Sequence, residues 1–402
     1  MAGSKTEKII HQTETYGAHN YHPLPVVIAE AEGVWVKDVE GKKYLDFLSA
    51  YSAVNQGHRH PKIIKALVDQ ANTLTLTSRA FFSANLGDFL ERICNYTGYE
   101  MALPMNTGAE AIETAIKMAR RWGLKKGIKN GEQEIICCAE NFHGRTSTII
   151  SMSTDPDCTE GFGPYAPGFK VIPFNDAAAL EKAITKNTCA FLVEPIQGEA
   201  GVNVPDEGYL KKIRDICTKH NILFMADEVQ TGFCRTGAKF ACFLENVRPD
   251  VMCLGKALGG GVLPVAAVVS SKEIMSVFNP GSHGSTFGGN PLACAVAMAA
   301  LDVLDNENLA TRSLELGEYL RQELRKINCK KIVTVRGKGL LNAVLFEKGF
   351  EAWNVCVALK DAGLLAKQTH GNIIRFAPPL VITKTELDHA ISIIKTVFEN
   401  IK

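Results

Sequence analysis

Leu223-Phe224-Met225-Ala226-Asp227 and Met252-Cys253-Leu254-Gly255-Lys256 are short apolar runs that finish on a charge, and Phe191-Leu192-Val193-Glu194 does the same. Runs this short and this continuously apolar read as strands buried on both faces, the pattern of a parallel sheet covered by helices. In an open parallel sheet, ligands collect at the carboxyl ends of the strands, so the three charges are expected to converge on one crevice. A single such ending reads as a helix cap or a solvated loop charge; three together point to a site. Outward from this centre, further strands are expected at 134–138, 170–174 and 265–269, with the quoted runs lying in strands at 190–193, 222–226 and 251–254. They alternate with helical patterns from about residue 105 to 301, which is the order of an α/β domain. The segment 108–122 repeats apolar Ala111, Ala115, Met118 and Trp122 at helical spacing, with charges on its other face.

On either side of this block the pattern is mixed. The first hundred residues read as strand, turn, strand around Val34 to Asp38 and Gly41 to Tyr44, then a helix near 63–72. The last ninety read as a helix at 308–326, strands near 332–337 and 341–346, then helix, strand and helix. Residues 76–307 are therefore expected to form a large sheet domain. Residues 1–75 and 308–402 are expected to supply a smaller α+β domain built from both ends of the chain. No internal repeat is present.

Composition limits what the protein does. The 402 residues carry 44 Lys+Arg against 43 Asp+Glu, a net charge of +1, which gives no general electrostatic grip on nucleic acid or anionic lipid. Apolar residues make up 46% and charged residues 22%, a globular balance. The longest uncharged apolar stretches fall short of the ~18 residues needed to cross a bilayer. The first residues lack the marks of a signal or transit peptide, so a cytoplasmic setting is expected. Twelve cysteines occur without a Cys-x-x-Cys pair, which indicates buried thiols rather than disulfides or a zinc ribbon. Cys137 and Cys138 fall in a strand, whereas Cys158 is expected in an exposed loop. His58-Arg59-His60 alternates like a metal ligand set but has no accompanying carboxylates or cysteines, so no metal is expected.

Lys256 lies between an apolar strand and Ala257-Leu258-Gly259-Gly260-Gly261, whose missing side chains let a planar ligand approach the backbone. Partial desolvation there favours the neutral amine, the form that attacks a carbonyl to make a Schiff base. A phosphate-binding Walker lysine fails on spacing, since no Gly-x-x-x-x-Gly-Lys-Ser/Thr occurs. A Schiff-base lysine implies pyridoxal phosphate, whose ring nitrogen needs a carboxylate, and Asp227 is the candidate. The interval from Asp227 to Lys256 fits a helix and a return strand. Asn106-Thr107-Gly108-Ala109-Glu110 offers a small-residue turn opening into a helix, where free N–H groups and the helix dipole suit a phosphate; an ordinary Thr107 cap explains the same residues. Ser285 and Thr286 between glycines are a second donor set.

These residues carry a resemblance. Asn106 to Ala111, Asn141-Phe142-His143-Gly144-Arg145-Thr146, Glu194-Pro195-Ile196-Gln197-Gly198-Glu199, Asp227-Glu228-Val229-Gln230-Thr231-Gly232, Leu254 to Ala257 and Gly284 to Asn290 resemble the class III pyridoxal-phosphate aminotransferases in order and spacing across nearly the whole chain. The stretches at 17–25, 51–58 and 374–380 are similar to those of the ornithine-using members of that class. The resemblance implies the aspartate-aminotransferase-like fold of the type I pyridoxal-phosphate enzymes. It implies that Lys256 holds the cofactor covalently, Asp227 pairs with the ring nitrogen, Gln230 bonds the phenolic oxygen and Phe142 stacks on the ring. Gly108, Ala109 and the partner's Thr286 would bind the phosphate, so the active sites would be shared across a homodimer. Tyr21 and Arg145 would hold the ornithine α-carboxylate, Tyr51 would narrow the pocket, and Glu199 would cover Arg375 until 2-oxoglutarate arrives. Glu194 and His143 would support the site. The implied reaction moves the terminal amino group of ornithine to 2-oxoglutarate in ping-pong order. Acetylornithine or 4-aminobutyrate as donor is the sister reading, and a silent phosphate-ligand binding protein is the reading outside enzymology.

Overall fold

The computed structural model describes residues 4–401. Its centre is a seven-stranded sheet in the order Met101–Met105, Ala266–Ser270, Val251–Leu254, Leu223–Asp227, Thr188–Val193, Glu134–Cys138 and Phe169–Ile172. Neighbours from Val251–Leu254 to Phe169–Ile172 pair in parallel. Ala266–Ser270 runs antiparallel to both of its neighbours, a departure from the parallel reading of 265–269.

Period-two alternation sends successive strand residues to opposite faces of the sheet. Ile135, Cys137, Ala190, Leu192, Met225 and Cys253 face Ala111, Ala115, Met118 and Trp122 of the helix Gly108–Lys125. Ile136, Phe191, Val193, Phe224 and Ala226 face Leu210, Ile213 and Cys217 of the helix Tyr209–Lys219. With both faces covered, the crevice at the strand ends is the place left for polar chemistry.

Two smaller sheets flank this layer. One runs Ile28–Glu32, Trp35–Asp38, Lys43–Asp46 and Leu364–Leu365, so the two ends of the chain meet edge to edge where Leu45 pairs with Leu364. The other is antiparallel, in the order Ile332–Lys338, Leu341–Phe346, Ile373–Phe376, Lys367–Thr369. The helices Leu309–Arg325 and Lys384–Glu399 join a shared core with these sheets through Leu320, Leu324, Leu387 and Ile394.

Two expectations are corrected. No α-helix joins Asp227 to Lys256: the connection is irregular, with only the 3-10 turn Ala241–Glu245, and is held by the buried Glu228 carboxylate, which accepts the Ala241 and Cys242 N–H groups at 3.0 and 2.8 Å. Cys158 is buried at 5% exposure, because the short helix Pro156–Thr159 turns its thiol inward to donate to Asp155 at 3.4 Å. Burial raises that thiol's pKa, which disfavours the reactive thiolate. All twelve cysteines are free. His58 and His60 each meet a carboxylate, Asp46 at 2.8 Å and Glu307 at 2.9 Å.

Candidate active site

The strand ends deliver the three charges to one place. Glu194 follows Thr188–Val193, Asp227 closes Leu223–Asp227, and Lys256 opens the 3-10 turn Lys256–Gly259 just beyond Val251–Leu254. They line a cavity of about 200 Å³ together with Gly108, Ala109, Phe142, His143, Glu199 and Gln230. Gly144, Val229 and Thr231 complete the wall. These three lie inside the quoted motifs without an assigned role, since they shape the wall by packing, which a sequence does not display.

Asp227 is fixed from two sides. Its Oδ1 accepts the Val229 N–H at 3.0 Å, and its Oδ2 accepts from His143 Nδ1 at 2.7 Å. His143 is fully buried; burial pushes its pKa down, but the hydrogen bond and charge of Asp227 outweigh that and raise it. A short hydrogen bond of this kind keeps the carboxylate oriented in a water-poor setting. Glu194 accepts the Phe142 N–H at 3.0 Å and the Gly198 N–H at 3.4 Å, thereby tying together two loops of the wall. Burial raises its pKa, against the pull of His143.

Lys256 holds a left-handed φ of 46°. Burial lowers its pKa, while Glu199 and Asp227 oppose the shift. A desolvated ammonium that gives up its proton readily is a nucleophile and base in waiting. Two buried polar atoms at the wall have no partner among the described residues: Gln230 Oε1 and His143 Nε2. At the other end, Thr107 and Glu110 form a reciprocal capping box on the helix Gly108–Lys125. The cap uses Glu110 N and Thr107 N and leaves the Gly108 and Ala109 N–H groups at the cavity with no acceptor among the described residues. Gly108 is required there, since a Cβ would meet Val229 Cγ1 at 2.8 Å.

At the mouth, Arg375 Nη1 donates to Glu199 Oε1 at 2.6 Å, and Gln230 Nε2 donates to the same oxygen at 3.1 Å. Burial alone would raise the Glu199 pKa, but the Arg375 guanidinium holds it down at about 2. The Tyr51 ring stands 5.1 Å from the Arg375 guanidinium, and Arg145 lies 5.6 Å from the Phe142 ring. Arg145 is exposed and reaches the cavity only through the Phe142 ring, without lining it. Tyr21 and Thr286 are also exposed and stand outside the cavity lining of their own chain.

The arrangement joins a buried amine, a fixed carboxylate, a helix start with two N–H groups without acceptors among the described residues, and an arginine paired with a carboxylate. Comparison with known proteins agrees with it. Residues 16–398 match the family model "Aminotransferase class-III". The chain is 58% identical over 393 residues to a protein of Oceanobacillus iheyensis named "Ornithine aminotransferase", covering 98% of each. It is 59% identical over 397 residues to "Ornithine aminotransferase 2" of Staphylococcus aureus, covering 98% of this chain and all of the relative. Among solved structures, the ornithine aminotransferase from Toxoplasma gondii superposes with a TM-score of 0.97 at 45% identity, covering 99% of this chain and 96% of that one. An acetylornithine aminotransferase from Elizabethkingia anophelis superposes with a TM-score of 0.90 at 54% identity, covering 99% and 100%. A catalytic crevice at the strand ends and a matching family model over nearly the whole length lead to one conclusion: this chain belongs to the class III aminotransferases.

Proposed function

We propose that the protein is an ornithine δ-aminotransferase, moving the terminal amino group of L-ornithine to 2-oxoglutarate and giving glutamate 5-semialdehyde and glutamate. Class III aminotransferases work with pyridoxal 5'-phosphate, and the donors of the cavity fit it. The buried Lys256 amine suits its aldehyde, Asp227 its ring nitrogen, and the free Gly108 and Ala109 N–H groups its phosphate. When bound, the group supplies an electron sink for the carbon that loses a proton.

The chain's own residues divide the remaining work. Asp227, held by His143 and Val229, would face the ring nitrogen as a fixed carboxylate, a preorganised interaction that is costly to lose. Phe142 orients the ring by contact, contributing on the order of 1 kcal/mol. Gln230 bonds the ring's phenolic oxygen and also steadies Glu199. Lys256 would take and return the proton at the reacting carbon, a role supported by its position in the cavity wall and its lowered pKa. Glu194 supports the loops that carry Phe142 and Gly198.

One observation carries the choice of substrate: Glu199 on Arg375 at 2.6 Å beside Lys256. An arginine already covered by the protein's own carboxylate suits a donor that brings no second carboxylate to that end. Ornithine is such a donor, with Tyr21 and Arg145 taking its α-carboxylate and Tyr51 narrowing the approach. 2-Oxoglutarate brings the second carboxylate, displaces Glu199 and takes the bidentate fork that a lysine could not offer.

The reading extends to assembly and organisation. The active form is a homodimer in which the partner's Thr286 completes the phosphate site, supported by the exposure of Thr286 away from its own cavity. Residues 76–307 form the large domain, with 1–75 and 308–402 making the small one, supported by the pairing of Lys43–Asp46 with Leu364–Leu365. A cytoplasmic setting fits twelve unpaired thiols. No helix among the described residues is long and apolar enough to cross a membrane.

Acetylornithine as donor is the second reading, favoured by the 54% identity to the Elizabethkingia protein. Single-turnover bleaching of the cofactor absorbance with ornithine, acetylornithine and 4-aminobutyrate decides. Ornithine should react fastest; a faster reaction with either alternative overturns the ornithine reading.

A further inference from the structure

Four consecutive residues without a glycine, Ser49, Ala50, Tyr51 and Ser52, hold left-handed φ angles of 49, 46, 58 and 73°. Side chains disfavour this region sterically, and a run of four persists only where the surroundings fix it. The run carries Tyr51, whose ring faces Arg375.

The restraints are named hydrogen bonds. Asp46 Oδ1 accepts the Leu48 and Ser49 N–H groups at 2.8 and 2.9 Å, and Ser49 Oγ donates to the Ala377 carbonyl at 2.6 Å. Beyond the turn, Asn55 Nδ2 donates to the Phe233 carbonyl at 2.9 Å, and Gln56 Nε2 donates to the Ala257 carbonyl, next to Lys256, at 2.9 Å. The Asn55 carbonyl accepts the Leu380 N–H at 2.8 Å.

Arg235 sits at the centre of these ties and is fully buried. Its Nε and Nη2 donate to Asn55 Oδ1 at 3.1 and 2.6 Å, and its Nη1 donates to the Leu340 and Pro378 carbonyls at 2.9 and 2.7 Å. None of these partners is a carboxylate, and burial pulls the guanidinium pKa down to about 9. A buried charge satisfied by neutral carbonyls does little for net stability, so what its rigid fork supplies is registration of the pieces it touches. Those pieces are the segment after Tyr51, the segment after Arg375 and the turn at Leu340.

We propose that Arg235 is a positioning residue for substrate selection, its guanidinium holding the left-handed turn that bears Tyr51 in register with the strand that bears Arg375. This rests on the reading of Tyr51, Glu199 and Arg375 given above. Arg235 touches neither substrate nor cofactor; it acts through Asn55 and the Pro378 carbonyl. With the fork loosened, the strained turn relaxes, Tyr51 leaves its place against Arg375, and the preference for ornithine over a dicarboxylic donor declines.

The test uses Arg235→Lys, Asn55→Ala and Asn55→Asp in the cofactor-loaded enzyme. Half-reaction rates with ornithine and with glutamate are measured by stopped-flow absorbance, alongside the melting temperature and the cofactor's visible spectrum. The glutamate to ornithine rate ratio should rise about tenfold in Arg235→Lys and Asn55→Ala, with the spectrum unchanged. Asn55→Asp, which keeps the acceptor that Arg235 uses, should return the ratio to near the wild-type value. A ratio unmoved in both disruptive variants, or a melting temperature that falls while both half-reactions drop by one common factor, overturns the proposal. Where Arg235→Lys does not fold, Ser49→Ala removes a single tie and is read by the same ratio. If the wild type does not react with ornithine, the substrate reading fails by itself. The ratio is then taken against the amine the enzyme accepts, and its constancy across the variants would still overturn the role of Arg235.

Discussion

Lys256 is the residue to which the proposed chemistry is assigned, and its properties arise from where the chain puts it. The Val251–Leu254 strand is buried, the following turn starts in a left-handed conformation, and burial lowers the amine's pKa. Replacing Lys256 with Ala should lower turnover by at least about 10³-fold through the lost proton transfer alone, in steady-state assays with ornithine and 2-oxoglutarate. Turnover kept within tenfold of wild type would remove Lys256 from the reaction. Glu199 makes a subtler case. Its folded-state pKa of about 2 lies below the ordinary carboxylate value of 4.5, so the unfolded chain takes up the proton first as pH falls. The pair with Arg375 therefore contributes its full stability above pH 4.5 and loses it progressively towards pH 2. The stability difference between wild type and Glu199→Gln, from denaturant melts, should be flat from pH 5 to 8 and shrink below 4.5, with a ceiling of about 3 kcal/mol. In half-reaction assays, Glu199→Gln should also uncover Arg375 and raise the glutamate to ornithine rate ratio about tenfold. An unchanged ratio would mean the pair is structural only.

At the scale of elements, the helix Gly108–Lys125 shows how a cap and a binding site share one turn. Thr107 and Glu110 satisfy each other and leave the next two N–H groups facing the cavity. Gly108→Ala would press a methyl group against Val229 Cγ1. The variant should lose about 1–3 kcal/mol of stability by overpacking and bind the cofactor more weakly, as read by equilibrium dialysis. The same element was legible in the sequence, start and face alike, because a capping box and a 3.6-residue apolar period are local signals. Strands ending in charge were equally plain, and Glu194, Asp227 and Lys256 meet where the strand-end rule put them. What stayed hidden depends on distant partners. Nothing in Ala266–Ser270 itself states that it runs against its neighbours. Met101–Met105 contains Pro104 and reads poorly as a strand, yet it occupies the sheet edge, where a missing N–H is tolerated. The stretch after Asp227 was expected to be helical. Its fold is instead dictated by the buried Glu228 and Arg235, which bond to backbone far along the chain. Buried charges of this kind look like surface residues in a sequence.

For the whole molecule, the unanswered surface is apolar. Phe81 and Phe82 are adjacent and exposed at 71% and 103%, and Phe287 beside Thr286 is exposed at 54%. Large aromatic side chains presented to water in this way are what the proposed dimer would cover. A second copy of the chain fits the proposed sharing of Thr286, since Phe287 would be covered in the same contact that delivers its neighbour. Phe82→Asp places a charge at the exposed Phe81–Phe82 pair without touching the cavity. The expected result is a sedimentation coefficient that falls from dimer to monomer at micromolar protein, together with loss of turnover and weaker cofactor retention. Melting of the monomer should remain cooperative, because Phe82 packs against nothing in its own chain that its loss would open. If the wild type sediments as a monomer with full activity, the partner's Thr286 has no role and the phosphate rests on the Gly108 and Ala109 N–H groups of one chain.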